Sequence, residues 1–155
     1  MQRWRNMNRA KEYLRQYRKA VERCRQCQDT IDAITATLET ITLDSDGMPR
    51  GTDISDRTGR LAVQLADISS RLEVMIADAW TLRTEIEGVI QSVPVPEQSR
   101  LLYDRYVLFK DWREIADGLH FDEVYTRGRL HLKALQAVEE IVEKGQKDTK
   151  GYITL

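Results

Sequence analysis

The segment from residue 122 to residue 144 carries side chains whose chemistry suits contact with DNA. Arginine can bind guanine N7 and O6 bidentately, and residues near the start of a recognition helix are those that reach base edges. Apolar positions in the segment predict a helix, and they are Val124, Leu130 or Leu132, and Leu135. The polar positions around this stripe are Glu123, Tyr125, Thr126, Arg127, Arg129, His131 and Lys133.

These polar residues divide into two expected roles. Thr126, Arg127 and Glu123 are the candidates for contact with base edges. The expected phosphate contacts, which position a protein on DNA without reading its sequence, are Arg129, Lys133, Arg113 and Lys110. The alternative is that all of them form a solvated helical face. His131 has no second ligand nearby in the sequence, so we expect it at the surface or in a groove rather than on a metal.

Two short helices are predicted before this segment, over residues 97–109 and 112–119. The sequence Leu119-His-Phe-Asp-Glu leaves only three or four residues for the turn that follows, with Phe121 as a core residue and Asp122 as the N-cap of the next helix. Two helices joined by so short a turn are typical of a helix-turn-helix. The proline pair in Val93-Pro-Val-Pro marks its start, so the predicted DNA-binding domain spans 94–145.

Three stretches of this domain resemble region 4 of bacterial sigma-70-type factors, the part that binds the −35 promoter element. They are Pro96-Glu-Gln-Ser-Arg-Leu-Leu-Tyr-Asp-Arg-Tyr-Val, Asp111-Trp-Arg-Glu-Ile-Ala-Asp-Gly-Leu and Arg129-Leu-His-Leu-Lys-Ala-Leu. With Asp46-Gly-Met-Pro-Arg-Gly, Ser55-Asp and Ala62-Val-Gln-Leu-Ala-Asp, the chain also resembles phage and prophage proteins of the ArpU/RinA group of late-gene transcriptional regulators. The resemblance implies a phage late-gene activator that binds double-stranded DNA near a promoter and can contact RNA polymerase.

The sequence departs from the sigma pattern in one spacing and at two positions. The interval between Leu-His and Ala-Leu is one residue longer than in many sigma factors. His120 stands where this motif commonly has glycine in the turn, and Gly128 lies inside the predicted recognition helix. Glycine in a helix interior costs roughly 0.5 to 1 kcal/mol relative to alanine, but it permits close approach of a DNA backbone.

Residues 1–93 show two heptad seams. One runs from Met7 to Leu38 and includes polar Gln28 and Thr35; the other runs from Leu61 to Val93. Seams this long predict supercoiled helices. We therefore expect an all-α protein whose coiled-coil α-hairpin has helices over about 2–42 and 56–93 and a loop over 43–55. The seams pair within one chain or between chains, and a homo-oligomer, with a dimer favoured, is expected.

The near-zero net charge hides an uneven distribution. Residues 1–25 hold nine Lys or Arg against two Asp or Glu, and residues 26–98 hold five against thirteen. One interpretation of the basic segment is the solvated outer face of a coiled coil opposite the acidic second helix. The other is a second phosphate-binding surface, which would make DNA contact bipartite.

Several classes of function are not predicted. Nucleophile elbows, phosphate loops and metal-ligand spacings are missing from the sequence, so neither an enzyme nor a cofactor is expected. Cys24 and Cys27 have no second pair to complete a zinc site and are expected to be reduced thiols. Apolar runs are too short for a signal peptide or a membrane span, which favours the cytoplasm. The resemblance to phage proteins implies that this is the cytoplasm of a bacterial host cell. Residues 146–155 are predicted to be a flexible tail.

Two other functions fit the same pattern. One is a small terminase-like packaging or assembly protein that forms an oligomer on DNA. The other is an interaction protein that binds polymerase or a regulator without touching DNA.

Overall fold

The computed structural model describes residues 2–44 and 52–151, and every element in these ranges is helical. Helix α1 spans Gln2–Asp44 and α2 spans Thr52–Gln91, so both extend further into the predicted 43–55 loop than expected. The rest of that loop, 45–51, lies outside the described residues, as does the end of the predicted tail, 152–155. The prediction of an all-α protein is confirmed.

Three further helical segments follow the proline pair. Helix α3 spans Pro96–Tyr106 with proline in its first turn, and α4 spans Trp112–Leu119. The last segment comprises α5 (Glu123–Tyr125), one π-helical turn (Thr126–Leu130) and α6 (His131–Gly151). These three run on without a break, and together they are called the C-terminal helix below. It continues through Gly151, so the described part of the predicted flexible tail is helical.

The chain divides into two compact units. Unit 1 consists of residues 1–19 and 80–155, and unit 2 consists of residues 20–79. Helices α1 and α2 each contribute to both units.

Unit 1 holds a densely packed apolar core. Its fully buried side chains come from four helices and the C-terminal helix: Leu14, Ile86, Ile90, Leu101, Leu102, Ile115 and Val138. Helix α4 packs one apolar face on this core, because Ile115 and Ala116 are buried and Trp112 packs on the same core. Burial of this many branched side chains supplies most of the stability of such a unit.

Two predicted core residues of unit 1 are in fact exposed. Phe121 is 40% exposed, so the expectation that it fills the core is wrong. Val124 is 81% exposed and does not belong to the buried stripe of the C-terminal helix. Leu130 and Leu135 do lie in the core.

Unit 2 consists of residues 20–44 of α1 and residues 52–79 of α2. The Cys27 thiol lies 3.8 Å from the backbone carbonyl of Ile68, which brings the two segments into contact. Both cysteines are free thiols. Gln28 is exposed and donates to Asp32 of its own helix, so the seam passes through Cys27 and buried Ile34 instead of Gln28.

Candidate nucleic-acid interface

The turn between α4 and the C-terminal helix is closed by backbone hydrogen bonds. His120 has φ 58° and ψ 37°, the left-handed conformation that glycine adopts most easily. Its N–H donates to the carbonyls of Ala116 and Asp117, and the N–H of Phe121 donates to Ala116 at 3.0 Å. These bonds satisfy the last carbonyls of α4. The turn therefore keeps the geometry of a glycine-containing turn although histidine occupies the position.

Both helices that flank the turn begin at a capped N-terminus. Asp111 accepts from the N–H of Glu114 at 2.8 Å, and Glu114 accepts from the N–H of Asp111, which makes a capping box. Asp122 accepts from the N–H of Tyr125 at 3.1 Å, as predicted for the N-cap. The start of the C-terminal helix is thus fixed relative to α4 by its sequence.

One face of the C-terminal helix anchors it to unit 1. Thr126 is fully buried, and its hydroxyl donates to the carbonyl of Asp122 at 2.8 Å. Because this side chain has no access to solvent, it is not available to a base edge, and its predicted role needs correction. His131 is also buried, and it lines a pocket instead of lying at the surface.

The opposite face of the same helix is open to solvent. It presents an acidic, an apolar and a basic side chain together, since Glu123, Val124 and Arg127 are all exposed. Gly128 lies among them, and a methyl group added to its Cα would meet no atom within 4 Å. Packing inside the protein therefore does not require glycine here, although glycine lowers helix stability.

The remaining predicted site residues lie in three kinds of environment. Arg113, Arg129 and Lys133 are exposed, as phosphate contacts need to be. Tyr125 packs edge to face with Phe121, their ring centroids 5.4 Å apart. The ammonium group of Lys110 lies 3.2 Å from the buried carboxylate of Asp104, so this lysine forms an ion pair inside the protein and is less available to a phosphate than the exposed cations.

His131 lies at the centre of a polar and aromatic cluster. Its Nε2 and the hydroxyl of Tyr106 are 2.8 Å apart, and its ring meets that of Trp112 edge to face at 4.7 Å. Burial is the main cause that lowers the pKa of His131 to about 4, and the nearby cations Lys11, Arg105 and Arg15 lower it further. Burial likewise raises the pKa of Tyr106 to about 12. Both groups are therefore neutral near pH 7.

A pocket of about 260 Å³ opens beside this cluster, and we call it the basic pocket. Every charged side chain that lines it is a cation. Its lining residues are Lys11, Arg15, Arg18, Arg105, Tyr106, Phe109, Trp112, Arg127 and His131. Arg127 thus belongs both to the exposed face of the C-terminal helix and to the wall of this pocket.

Aromatic rings hold two of the pocket arginines in place. The Arg105 guanidinium lies 4.7 Å from the centroid of Trp112 and donates to the carbonyl of Lys110 at 2.9 Å. Arg18 lies 5.5 Å from the centroid of Phe109, a residue with φ 58° whose ring stacks on Tyr17. Cation–π contacts of this kind orient a guanidinium without neutralising it.

The charges in the basic pocket repel one another. Burial lowers the pKa of Arg105 most, and Arg18, Arg15 and Arg127 lower it further. Glu12 is 3.5 Å from Arg15, but it also pairs with Lys19 at 2.9 Å. Among the described residues, Lys11 and Arg127 have no carboxylate within ion-pair distance. The pocket therefore carries an excess of positive charge.

Four of the five cations in the basic pocket were not predicted as site residues from the sequence: Lys11, Arg15, Arg18 and Arg105. Three of them lie in the basic first 25 residues, which were predicted either to be a solvated coiled-coil face or to be a second phosphate-binding surface. The excess of basic residues there was the available signal. It could not show that this segment packs against the helix that carries Arg127.

The described residues contain no group of three His, Cys, Asp or Glu side chains that could hold a metal ion. Within the same ranges, none of the helices is both long and apolar enough to cross a membrane. Comparisons of the chain with protein-family models, with curated proteins and with solved structures found no match. The resemblance to sigma-type factors therefore stays a prediction from the sequence motifs.

Proposed function

We propose that this protein is a sequence-specific DNA-binding transcriptional regulator. In this proposal α4 and the C-terminal helix form a helix-turn-helix, and the N-terminal helices form a coiled-coil hairpin that serves in oligomerisation. The observation that carries the proposal is the exposed start of the C-terminal helix. Asp122 caps it, and the buried side chains of Thr126 and Leu130 anchor it to unit 1. Its exposed face presents Arg127 beside Gly128.

The exposed face has the chemistry that direct readout of DNA needs. Arg127 can donate two hydrogen bonds to guanine, Val124 can contact a thymine methyl group, and Glu123 can accept from cytosine. The open space around Gly128 leaves room for close approach of a base edge or a phosphate. Arg113, Arg129 and Lys133 are exposed cations that would bind phosphates on either side.

The proposal is tested by selection of binding sites from a library of randomised DNA duplexes, followed by affinity measurements on the enriched site. Arg127→Ala should cost about 1–3 kcal/mol on that site and relax the preference at one base pair. Lys133→Ala, the matched control, should weaken binding to all duplexes equally and reduce its salt dependence. If no site is enriched, or if Arg127→Ala weakens all duplexes equally, the proposal is wrong.

Oligomeric state distinguishes this proposal from DNA packaging. A regulator of this size needs a dimer or a second DNA contact for useful affinity, because one small module neutralises few phosphates. Light scattering should therefore report a monomer or dimer. A closed ring of many subunits would favour the terminase-like alternative.

A further inference from the structure

We infer that the basic pocket is a binding site for a multiply charged phosphate group. It is a second site on unit 1, beside the proposed base-reading face of Glu123, Val124 and Arg127, and its binding can be measured without DNA. The inference rests on the cavity and on the residues that line it, which include five cations and no carboxylate.

Five cationic side chains converge on this one cavity, and its wall contains no carboxylate. They come from α1, α3 and the C-terminal helix, so the fold gathers residues far apart in sequence. A cluster of like charges is unfavourable by itself, and an anion between them would remove the repulsion. A single exposed cation is stable in water without a bound anion, whereas five cations around one cavity repel one another and favour an anion between them.

The side chains also favour phosphate over a carboxylate ligand. Four of the five cations are arginines, namely Arg15, Arg18, Arg105 and Arg127. Their planar guanidinium groups can each donate two hydrogen bonds to the oxygens of a phosphate. A carboxylate carries one negative charge and two oxygens, and it would leave most of these donors and most of the positive charge unmatched.

The walls are arranged so that the cations face the cavity before a ligand arrives. Trp112 supports Arg105 and Phe109 supports Arg18, while His131 adds no charge because it is buried and neutral. Because these long side chains are already restricted, they lose less conformational entropy when a ligand binds. A volume of about 260 Å³ is near the lower end of small-molecule sites, which run from roughly 300 Å³ upward.

Two sources could supply the phosphate. One is the backbone of DNA bound by the neighbouring face, since Arg127 belongs to both surfaces. Each backbone phosphate carries a single charge, so DNA would have to place two adjacent phosphates against the pocket. The other source is a free phosphorylated small molecule, whose single phosphate or pyrophosphate group carries the charge alone. Phosphate oxygens are the ligand atoms in both cases, and an experiment with separate arms distinguishes the two sources.

The first arm measures binding of inorganic pyrophosphate to the full chain by calorimetry at constant ionic strength. Arg15→Gln and Arg127→Gln should each weaken binding by about tenfold or more, because each removes charge-assisted hydrogen bonds. Lys144→Gln is the matched control, since it removes an exposed cation from the same helix outside the pocket, and it should change the affinity by less than about twofold. Equal losses in all three variants, or no binding above that of chloride, would overturn the inference.

A second readout locates the bound anion. Lys11, Arg105 and Arg15 lower the pKa of His131, so an anion between them should move its imidazole titration to higher pH. Nuclear magnetic resonance of the imidazole protons would measure this shift with and without saturating pyrophosphate. An unchanged titration would place the anion elsewhere and overturn the assignment.

The second arm uses a mixed-sequence DNA duplex. If the phosphate belongs to DNA, Lys11→Gln and Arg15→Gln should weaken duplex binding and each lower the salt slope by about one. Pyrophosphate should then also compete with the duplex. If the ligand is a free phosphate compound, both variants should bind the duplex as the unmodified protein does. Loss of DNA binding with pyrophosphate binding retained would refute the proposed function but not this site.

Discussion

Units 1 and 2 are built from the same two long helices but differ in how completely they bury their side chains. In unit 1, seven large apolar side chains are essentially inaccessible to solvent. In unit 2 the most buried residues are Ile34, Leu72 and Ala79, and each retains 7 to 9% of its surface exposed. Two helix segments cover only one face of each other, whereas three added helices enclose the core of unit 1. The difference shows that heptad pattern alone does not produce a closed core.

The two units also differ in their polar chemistry. Residues 30–42 of α1 include threonines whose hydroxyls donate back to the carbonyl four residues earlier: Thr30, Thr35, Thr37, Thr40 and Thr42. β-Branched residues and such bonds lower helix stability slightly. In unit 1 one pair of buried polar groups instead bonds between helices, namely Tyr106 and His131. This contact between helices adds to the closed core of unit 1.

The largest expected effect contrasts one leucine from each unit. Leu102→Ala empties a fully enclosed position and should lower the free energy of unfolding by about 3–5 kcal/mol, whereas Leu72→Ala should cost about 2 kcal/mol because solvent already reaches that site. Chemical denaturation of both variants measures the difference. Equal losses would show that the two cores are equivalent and would remove the contrast.

The second prediction concerns pH. The pKa of His131 is about 4 in the folded chain and about 6.5 in the unfolded chain. The unfolded chain therefore binds a proton first, so the free energy of unfolding is highest above pH 6.5 and decreases as the pH falls towards 4. The loss amounts to roughly 3 kcal/mol over this range, at 1.36 kcal/mol per pKa unit.

This loss should be confined to unit 1. Hydrogen exchange at pH 7 and at pH 5 should show reduced protection there, and little change in unit 2. His131→Gln is the control, because it removes the titrating group while keeping polar atoms for Tyr106. A pH dependence that is the same in His131→Gln would assign the effect to other groups.

Much of unit 1 follows from local sequence signals. N-capping residues predict where two helices begin: Asp111, which forms a capping box with Glu114, and Asp122, whose carboxylate accepts from the N–H of Tyr125. Pro96 predicts the start of a third helix. These signals act within one turn of helix and do not depend on the tertiary fold. The predicted Glu97–Phe109 helix ended early, at Tyr106, because Phe109 takes a positive φ and the N–H of Lys110 bonds to Asp104.

The face that each helix presents was harder to predict. The π-helical turn over 126–130 adds a residue to the period, so Thr126 turns inward and Val124 outward relative to a regular helix. The basic pocket depends on packing between residues more than 100 positions apart, such as Lys11 and Arg127. Neither the change in period nor this packing leaves a pattern within one segment of the sequence.

The smallest expected effect compares a glycine from each unit. Gly128 and Gly59 lie within helices, and a methyl group at either position meets no atom within 4 Å. Alanine at each should therefore raise the free energy of unfolding by about 0.5–1 kcal/mol.

The two substitutions should differ only in their effect on DNA binding, because Gly128 lies on the proposed base-reading face and Gly59 lies in unit 2. Gly128→Ala should weaken binding to the selected duplex despite the added stability, whereas Gly59→Ala should leave binding unchanged. Tighter or equal binding by Gly128→Ala would mean that DNA does not approach this helix closely, and the base-reading face would then have to lie elsewhere on unit 1.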